Sequence, residues 1–89
     1  MGGKCVEIYQ LRQFAAVAKT ENMTRAAQSL SMAQPAVSKT IRNLESELGA
    51  ELFERTGKGL RRTEQGDILL RYARTILEAE RDARGEIEE

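Results

Sequence analysis

The sequence predicts a mostly α-helical chain in which three helices and a small β-hairpin precede one long helix. Apolar residues recur at steps of three or four in four stretches of the 89-residue chain, as in helices with one buried face. Between the third and fourth stretches, two short extended pieces flank a Gly-containing turn, which indicates a hairpin. A chain of this length has room for one modest core.

Composition excludes several classes of protein. Hydrophobic residues make up 40% and charged residues 31%, which is typical of a soluble domain. The sequence has no apolar run that could span a membrane and no secretory leader, so we expect a cytoplasmic protein. It contains no His and one Cys, Cys5, so the commonest general base and a four-ligand zinc site are both missing. We therefore expect no enzyme, no cofactor and no metal.

The net charge of zero conceals a split along the chain. Residues 1–63 hold ten basic and six acidic residues, whereas residues 64–89 hold four basic and eight acidic ones. This asymmetry suggests a polyanionic partner for the first part only. We divide the chain accordingly into a basic first domain, 1–63, and an acidic helical segment, 64–89.

The first two helices are predicted from Glu7 to Thr20 and from Thr24 to Leu30. Asn22 or Thr24 can cap the second helix, because either side chain can accept a bond from a free first-turn N–H. The residues expected to face the core are Ile8, Leu11, Phe14, Ala15 and Ala18 in the first helix and Ala26, Ala27 and Leu30 in the second.

The third helix is predicted to begin near Gln34–Pro35 and to end at Leu48–Gly49. Proline suits a first helical turn and glycine suits a helix end. Its buried stripe is expected to contain Val37, Ile41, Leu44 and Leu48. The opposite face is polar, and its residue types suit a major groove, where Gln pairs with adenine, and Arg and Lys with guanine. The candidate DNA contacts on this helix are Gln34, Pro35, Ala36, Ser38, Lys39 and Arg42.

A basic hairpin is predicted within residues 52–63, and Thr63 is the expected N-cap of the fourth helix. Helix, helix, sharp turn, helix and basic hairpin follow one another as in a winged helix-turn-helix. Basic residues at such a wing can hold phosphates or enter a minor groove. Charged surface residues also serve solubility alone, and that alternative applies to Arg25 at the start of the second helix. The further candidate contacts are Thr24, Arg25, Arg55, Lys58, Arg61 and Arg62.

The fourth helix has a heptad-like apolar seam, and about 25 residues of helix exceed what so small a core can cover. We expect homodimerisation through this seam. The alternative is packing against a further part of the same chain. The spacing leaves parallel and antiparallel pairing open. The seam residues are Leu69, Tyr72, Ile76, Ala79 and Ala83.

Several short segments together resemble the N-terminal DNA-binding domain of LysR-type transcriptional regulators. The resemblance covers residues 7–80. Its segments are Thr24-Arg25-Ala26-Ala27, Ala33 to Lys39, Ile41 to Glu45, Leu48-Gly49, Leu52 to Arg55, and Thr63 to Gly66.

The resemblance implies a winged helix-turn-helix and a linker helix that pairs two subunits on an interrupted inverted repeat of double-stranded DNA. By position it assigns base or phosphate contacts to Gln34, Pro35, Ser38 and Lys39, helix-start contacts to Thr24 and Arg25, and wing contacts to Arg55 and Arg61. It also implies a separate C-terminal domain that binds a small-molecule effector. Whether the full-length protein is a dimer or a tetramer stays open. Two residues depart from the family pattern. Arg62 stands where Leu or Pro is usual, and Ala33 where Ser is frequent.

Two other functions remain as alternatives. A winged helix can serve protein–protein contact, with the apolar seam as its working surface. An enzyme would have only Ser38–Lys39 and Glu45–Glu47 as candidate catalytic pairs. The basic hairpin favours DNA binding over both.

Overall fold

The computed structural model describes residues 5–89, and over those residues it confirms the mostly α-helical prediction. One two-stranded antiparallel sheet accompanies four helices. The first two helices differ from prediction by one residue at their starts. In chain order the elements are α1 (Ile8–Thr20), α2 (Met23–Leu30), α3 (Gln34–Leu48), β1 (Phe53–Thr56), β2 (Gly59–Arg62) and α4 (Glu64–Glu88).

The core lies around α1, which packs against α2, α3 and α4. The rings of Phe14 and Phe53 lie 5.5 Å apart, so the first strand of the hairpin is anchored in the same core. Burial of side chains this size contributes about 1.5–3 kcal/mol each. The largest fully buried side chains are Phe14, Leu44, Leu52, Val17 and Val37.

Two residues expected in the core are exposed. Ile8 retains 37% of its accessible surface because it lies in the first turn of α1, at the end of the packed region. Leu48 retains 44% because α3 ends there, and Leu52 occupies the buried position after the chain has reversed. Leu48 instead borders an apolar groove beside Ile68 and Tyr72 of α4.

The turn between α2 and α3 is made without glycine. Asn22, one of the two predicted caps, accepts a hydrogen bond from the Arg25 N–H at 2.9 Å and so begins α2. At its other end Ser31 adopts a left-handed conformation with φ 56°, which is uncommon for residues other than glycine. The Met32 N–H then donates to the Ala27 carbonyl at 2.9 Å and closes the turn.

The ends of α3 follow the prediction. Pro35 lies in the first turn, and Gly49 ends the helix with φ 68° while its N–H donates to the Glu45 carbonyl at 2.8 Å. Ala33 occupies the N-cap position and provides no side-chain hydrogen bond, which fits the departure from Ser noted above. In the first turn of α3 the Ala36 N–H instead donates to the Ala33 backbone carbonyl at 3.0 Å.

The hairpin joins α4 through one residue. Phe53 pairs with Arg62 at the base of the hairpin, and Thr56 pairs with Gly59 at its tip. Thr63 then caps α4 as predicted, since its hydroxyl accepts from the Gly66 N–H at 3.0 Å. The same hydroxyl donates to the Glu51 carbonyl at 2.6 Å and ties the start of α4 to the loop before β1.

The long helix α4 has two apolar faces. One face packs against the domain through Gly66, Leu70 and Ala73, with Leu77 half-buried. Ala73 and Leu77 therefore lie on the domain-facing side of α4, beside the predicted seam. An ion pair between Arg12 and Glu80, 3.6 Å long, lies at the far end of this contact. No helix within residues 5–89 has the length and hydropathy needed to cross a membrane.

Candidate nucleic-acid interface

The outer face of α3 presents the predicted polar residues to solvent. Val37, Thr40, Ile41 and Leu44 are buried and hold the opposite side of the helix against the domain. The Gln34 side-chain amide donates to the Ser38 hydroxyl at 3.0 Å, one helical turn away. Ser38 is half-buried, and the exposed members of the predicted set are Gln34, Pro35, Ala36, Lys39 and Arg42.

The wing carries exposed cations at its tip and on both of its strands. Arg55 and Lys58 are exposed. Arg61 pairs across the two strands with Glu54 at 3.4 Å, yet its side chain stays 69% exposed. Surface pairs of this kind contribute little and exchange readily, so Arg61 remains available to another anion.

A cleft between α3 and the hairpin brings three of the predicted residues together. Ser38, Arg42 and Arg55 line one cavity of about 220 Å³, together with Leu60 and other apolar side chains. Two guanidinium groups and a hydroxyl form a donor set that suits phosphate oxygens. One arginine of the wing thus shares a cleft with two of the predicted residues of α3.

The carboxylate in this cleft is already engaged. Glu45 also lines the cavity, but its Oε2 accepts a hydrogen bond from the Leu52 N–H at 2.8 Å. This bond ties α3 to the segment that leads into β1. The sequence offered Glu45 as a member of the alternative catalytic pair Glu45–Glu47, because helical periodicity does not reveal a backbone partner seven residues away.

Thr24 and Arg25 are exposed in the first turn of α2, on the element that precedes the turn into α3. The Arg25 backbone N–H is bonded to the Asn22 cap, which fixes where its side chain leaves the helix. The geometry is compatible with both predicted roles, a phosphate contact and a surface charge.

Arg62 lies in a different setting from the other wing cations. Its guanidinium Nη1 donates to the Ala18 carbonyl of α1 at 2.7 Å, and its Nε donates to Asp67 of α4, also at 2.7 Å. Its backbone N–H donates to Glu21 at 3.2 Å. These internal bonds engage the guanidinium, so we leave Arg62 out of the DNA contacts proposed below. Sequence reasoning missed Glu21, whose partner is 41 residues away.

One hydrogen-bonded pair on α4 has shifted pKa values. A hydrogen bond from Arg84 lowers the pKa of Glu80, and the same bond raises the pKa of Arg84. Within residues 5–89, no three His, Cys, Asp or Glu side chains are placed to hold a metal ion.

The comparison with known families agrees with this geometry. The family model described as bacterial regulatory helix-turn-helix protein, lysR family, matches residues 8–67, which run from the start of α1 into the first turn of α4. The chain belongs to this family. The resemblance noted in the sequence is thereby confirmed.

Curated relatives match most of this chain with a small part of their own length. The RuBisCO operon transcriptional regulator of Allochromatium vinosum is 49% identical over 71 residues, which cover 80% of this chain and 24% of that protein. The HTH-type transcriptional regulator PcaQ of Agrobacterium fabrum is 42% identical over 78 residues, covering 88% and 25% respectively. The chain thus spans about a quarter of the length of these relatives.

Solved structures show the same fold over nearly the whole chain. The DNA-binding domain of BenM in complex with catB site 1 DNA superposes with a TM-score of 0.89 and 35% identity, covering 93% of both chains. The CbnR DNA-binding domain in complex with DNA gives a TM-score of 0.87 and 36% identity, covering 93% of this chain and 95% of that one. The winged helix-turn-helix with a long following helix is therefore confirmed.

Proposed function

We propose that this chain is the sequence-specific DNA-binding part of a bacterial transcriptional regulator and that it acts without catalysis or a cofactor. The observation that carries the proposal is the shared cleft of α3 and the wing, where Ser38, Arg42 and Arg55 line one cavity. The two related DNA-binding domains described above were solved as complexes with DNA. That likeness supports the same partner class here.

In this proposal α3 enters the major groove with its first two turns. The amide of Gln34 suits adenine, and Lys39 or Arg42 suits guanine or a phosphate. Pro35 and Ala36 offer apolar contact to a thymine methyl group. Ser38 lies beside Gln34 and can bind a base edge or a phosphate, while Thr24 and Arg25 of α2 approach the backbone.

The wing supplies contacts that do not depend on sequence. Arg55, Lys58 and Arg61 are exposed on the hairpin and can hold phosphates or enter the adjacent minor groove. Phosphate contacts orient the domain, and base contacts supply the discrimination. Loss of a contact made by α3 should therefore change the preference among bases, whereas loss of a contact made by the wing should change the affinity for all sequences.

We further propose that two copies pair through the solvent-facing seam of α4. Along this face, Tyr72 and Ile76 retain 59% and 40% of their accessible surface, and Leu69 is half-buried. Ala79 and Ala83 continue the seam as small exposed residues that permit a close helix approach. A second copy is the simplest occupant because a symmetric pair covers both seams at once. Such a pair would bind an inverted repeat.

The whole protein carries further expectations. Because the chain matches about a quarter of its curated relatives, we infer that regulation by a small molecule would belong to a separate effector-binding domain. A cytoplasmic location follows from action on a bacterial chromosome. Cross-linking of the full-length protein would decide between a dimer and a tetramer.

Selection of bound duplexes from a random DNA pool tests the function directly. We expect enrichment of a site with two-fold symmetry, at low salt and at a protein concentration that permits pairing. Binding without enrichment would contradict sequence specificity and leave only a phosphate-binding surface. A folded dimer that binds no duplex would overturn the proposal and favour a protein–protein contact module. The apolar groove bordered by Leu48, Ile68 and Tyr72 would be its first candidate surface.

Substitutions on the enriched site separate the two kinds of contact. Arg55→Ala should weaken binding to all sequences and reduce the log–log salt slope by about 1 for one lost phosphate contact. Arg71→Ala, an exposed arginine on α4, is the matched control and should leave the slope unchanged. Gln34→Ala should instead relax preference at particular base pairs, by about 1–3 kcal/mol for a good bidentate contact. Equal losses on all sequences would assign Gln34 to the phosphates.

Pairing through the seam can be tested without DNA. Ile76→Asp places a charge in the middle of the proposed interface and should shift sedimentation from dimer to monomer. Glu78→Lys changes charge on the outer side of the same helix and should leave the dimer intact. A dimer unaffected by Ile76→Asp would exclude this face as the interface.

A further inference from the structure

Arg62 joins three separate elements at one point, which we call the joint. It is the last residue of β2, its Nη1 donates to Ala18 of α1, and its Nε donates to Asp67 of α4. Its backbone N–H donates to Glu21, the residue that ends α1. The side chain is 33% exposed, less than half the 69% of neighbouring Arg61.

The positive charge of Arg62 is favoured by both of its side-chain partners. Ala18 lies in the last turn of α1, where unpaired carbonyls give the helix end a partial negative charge. Asp67 lies in the first turn of α4, where an acidic side chain is favoured. A guanidinium presents donors in fixed directions, so it can bond the carbonyl and the carboxylate together, which a lysine ammonium does less well.

The joint also limits the direction in which α4 leaves the domain. Only Thr63 separates β2 from α4, and its N–H donates to the Leu52 carbonyl at 3.0 Å. A Cβ placed on Gly66 would lie 2.2 Å from that same carbonyl oxygen, so the first turn of α4 is pressed against the loop before β1. Arg62 supplies the side-chain link from this region to α1.

The geometry points to Arg62 as a positioning residue that sets the angle between α4 and the wing, and thereby the half-site spacing that a dimer selects. The inference rests on the proposed DNA binding by an α4-linked dimer. In such a dimer, α4 connects the two domains. A change in the angle between α4 and the wing moves the two α3 helices relative to each other. The half-site spacing that the dimer prefers therefore reports that angle.

Binding to spaced duplexes tests this role. The probes are the inverted repeat enriched in the selection and copies with the gap between half-sites one or two base pairs longer or shorter. We expect Arg62→Leu to flatten the preference among these duplexes, since leucine can make neither bond, and Arg62→Lys to flatten it less, since an ammonium holds the two acceptors less well. Both should keep the wild-type log–log salt slope. A phosphate contact would behave differently, because Arg62→Leu would reduce that slope by about 1 and Arg62→Lys would preserve it.

Two further variants sharpen the result. Asp67→Asn removes the charged partner while keeping Arg62, and it should flatten the spacing preference in the same direction but less. If Arg62 bound DNA, releasing it from Asp67 would raise affinity instead. Arg61→Leu is the matched control on the adjacent residue, and it should lower the salt slope while leaving the spacing preference unchanged.

A measurement without DNA separates this inference from the proposed function. Residual dipolar couplings from the free chain report the orientation of α4 relative to the hairpin, and we expect Arg62→Leu to change or broaden that orientation while the thermal unfolding transition remains cooperative. A wild-type chain that binds no duplex would overturn the DNA function, and the couplings would still decide the role of Arg62. Unchanged couplings, or an unchanged spacing profile in both Arg62 variants, would overturn the inference.

Discussion

The first two turns of α4 and its last two turns lie in opposite surroundings. Each contains one glycine and one isoleucine, but Leu69 and Leu70 of the first turns have no counterpart in the last ones. At the start, Gly66 and Leu70 are buried against the domain, whereas every residue from 81 to 89 is exposed. A Cβ on Gly66 would meet the Leu52 carbonyl, but one on Gly85 would meet nothing within 4 Å.

This difference shows that one continuous helix can belong to two structural units. Its first turns are part of the domain core, and intrinsic helix preference has little influence there because packing decides. Its last turns have no such support within residues 5–89, so propensity, charge and any second copy determine their stability. Paired substitutions, mostly one in the first turns of α4 and one further along it, measure how strongly the stability of the chain depends on each region.

The largest contrast is expected from truncating apolar side chains. Leu70→Ala should lower the free energy of unfolding by about 2–5 kcal/mol, because it empties a buried position between α4 and α1. Ile87→Ala, at a site that is 83% exposed, should change it by less than about 0.5 kcal/mol. Urea unfolding at a protein concentration too low for pairing gives both values. Similar losses at the two sites would show that the last turns are packed.

Alanine at the two glycines should have effects of opposite sign. Gly66→Ala raises helix propensity but forces a methyl group onto the Leu52 carbonyl, so we expect destabilisation of about 1–3 kcal/mol. Gly85→Ala should stabilise the end of α4 by up to about 1 kcal/mol, since its site is open. Thermal unfolding followed by circular dichroism measures both the stability and the helix content of each variant. A Gly66→Ala variant as stable as the wild type would contradict the close approach of α4 to the Leu52 carbonyl.

Removing the cap should have a smaller effect. Thr63→Ala deletes the hydroxyl that accepts from the Gly66 N–H and donates to Glu51, and about 1 kcal/mol of stability should be lost. Thr75→Ala removes a hydroxyl in the middle of α4 that bonds only the Arg71 carbonyl, at 3.4 Å, and should be nearly neutral. Equal unfolding midpoints for the two variants would show that the cap contributes nothing measurable.

The smallest expected effect is a pH dependence where α4 leaves the domain. The hydrogen bond from Arg84 lowers the pKa of Glu80, so the charged carboxylate stabilises the folded state. This contribution is complete above the ordinary glutamate pKa of about 4.3 and is lost as pH falls through the lower folded-state value. Glu80→Gln should therefore lower the unfolding midpoint at neutral pH, and the difference from wild type should shrink in acid.

Glu78→Gln is the control for that titration. Among the described residues, Glu78 forms no ion pair within 4 Å, so the substitution should leave the midpoint unchanged at neutral pH. A difference between Glu80→Gln and wild type that stays constant down to low pH would exclude the charge of Glu80 as its source.

Features governed by neighbouring residues were predictable from the sequence. The bounds of α3, the hairpin and the Thr63 cap all follow from turn residues and apolar spacing, and the structure confirms them. The basic character of α3 and the wing was also visible, because it depends on residue type. Their meeting in one cleft required the fold.

Features governed by distant partners were not predictable. By helix propensity alone Gly66 would weaken α4, but the Leu52 carbonyl beside it makes it a packing requirement. Arg62 counted as one wing cation among four, whereas its Ala18 partner is 44 residues away. Periodicity identified the apolar residues of α4 but did not reveal which of the two apolar faces of this helix packs against the domain.

The bond from the Leu52 N–H to Glu45 has a consequence for the thermodynamics of association. Because it joins α3 to the segment before β1, the separation between the helix and the wing is set when the chain folds. A loop that orders only on contact with a ligand loses conformational entropy at that moment, which weakens binding. In this chain that entropy is lost on folding, so binding does not incur it again. Because the separation between α3 and the wing is fixed, the two elements also select a ligand surface by its width, whichever chemical groups that surface carries.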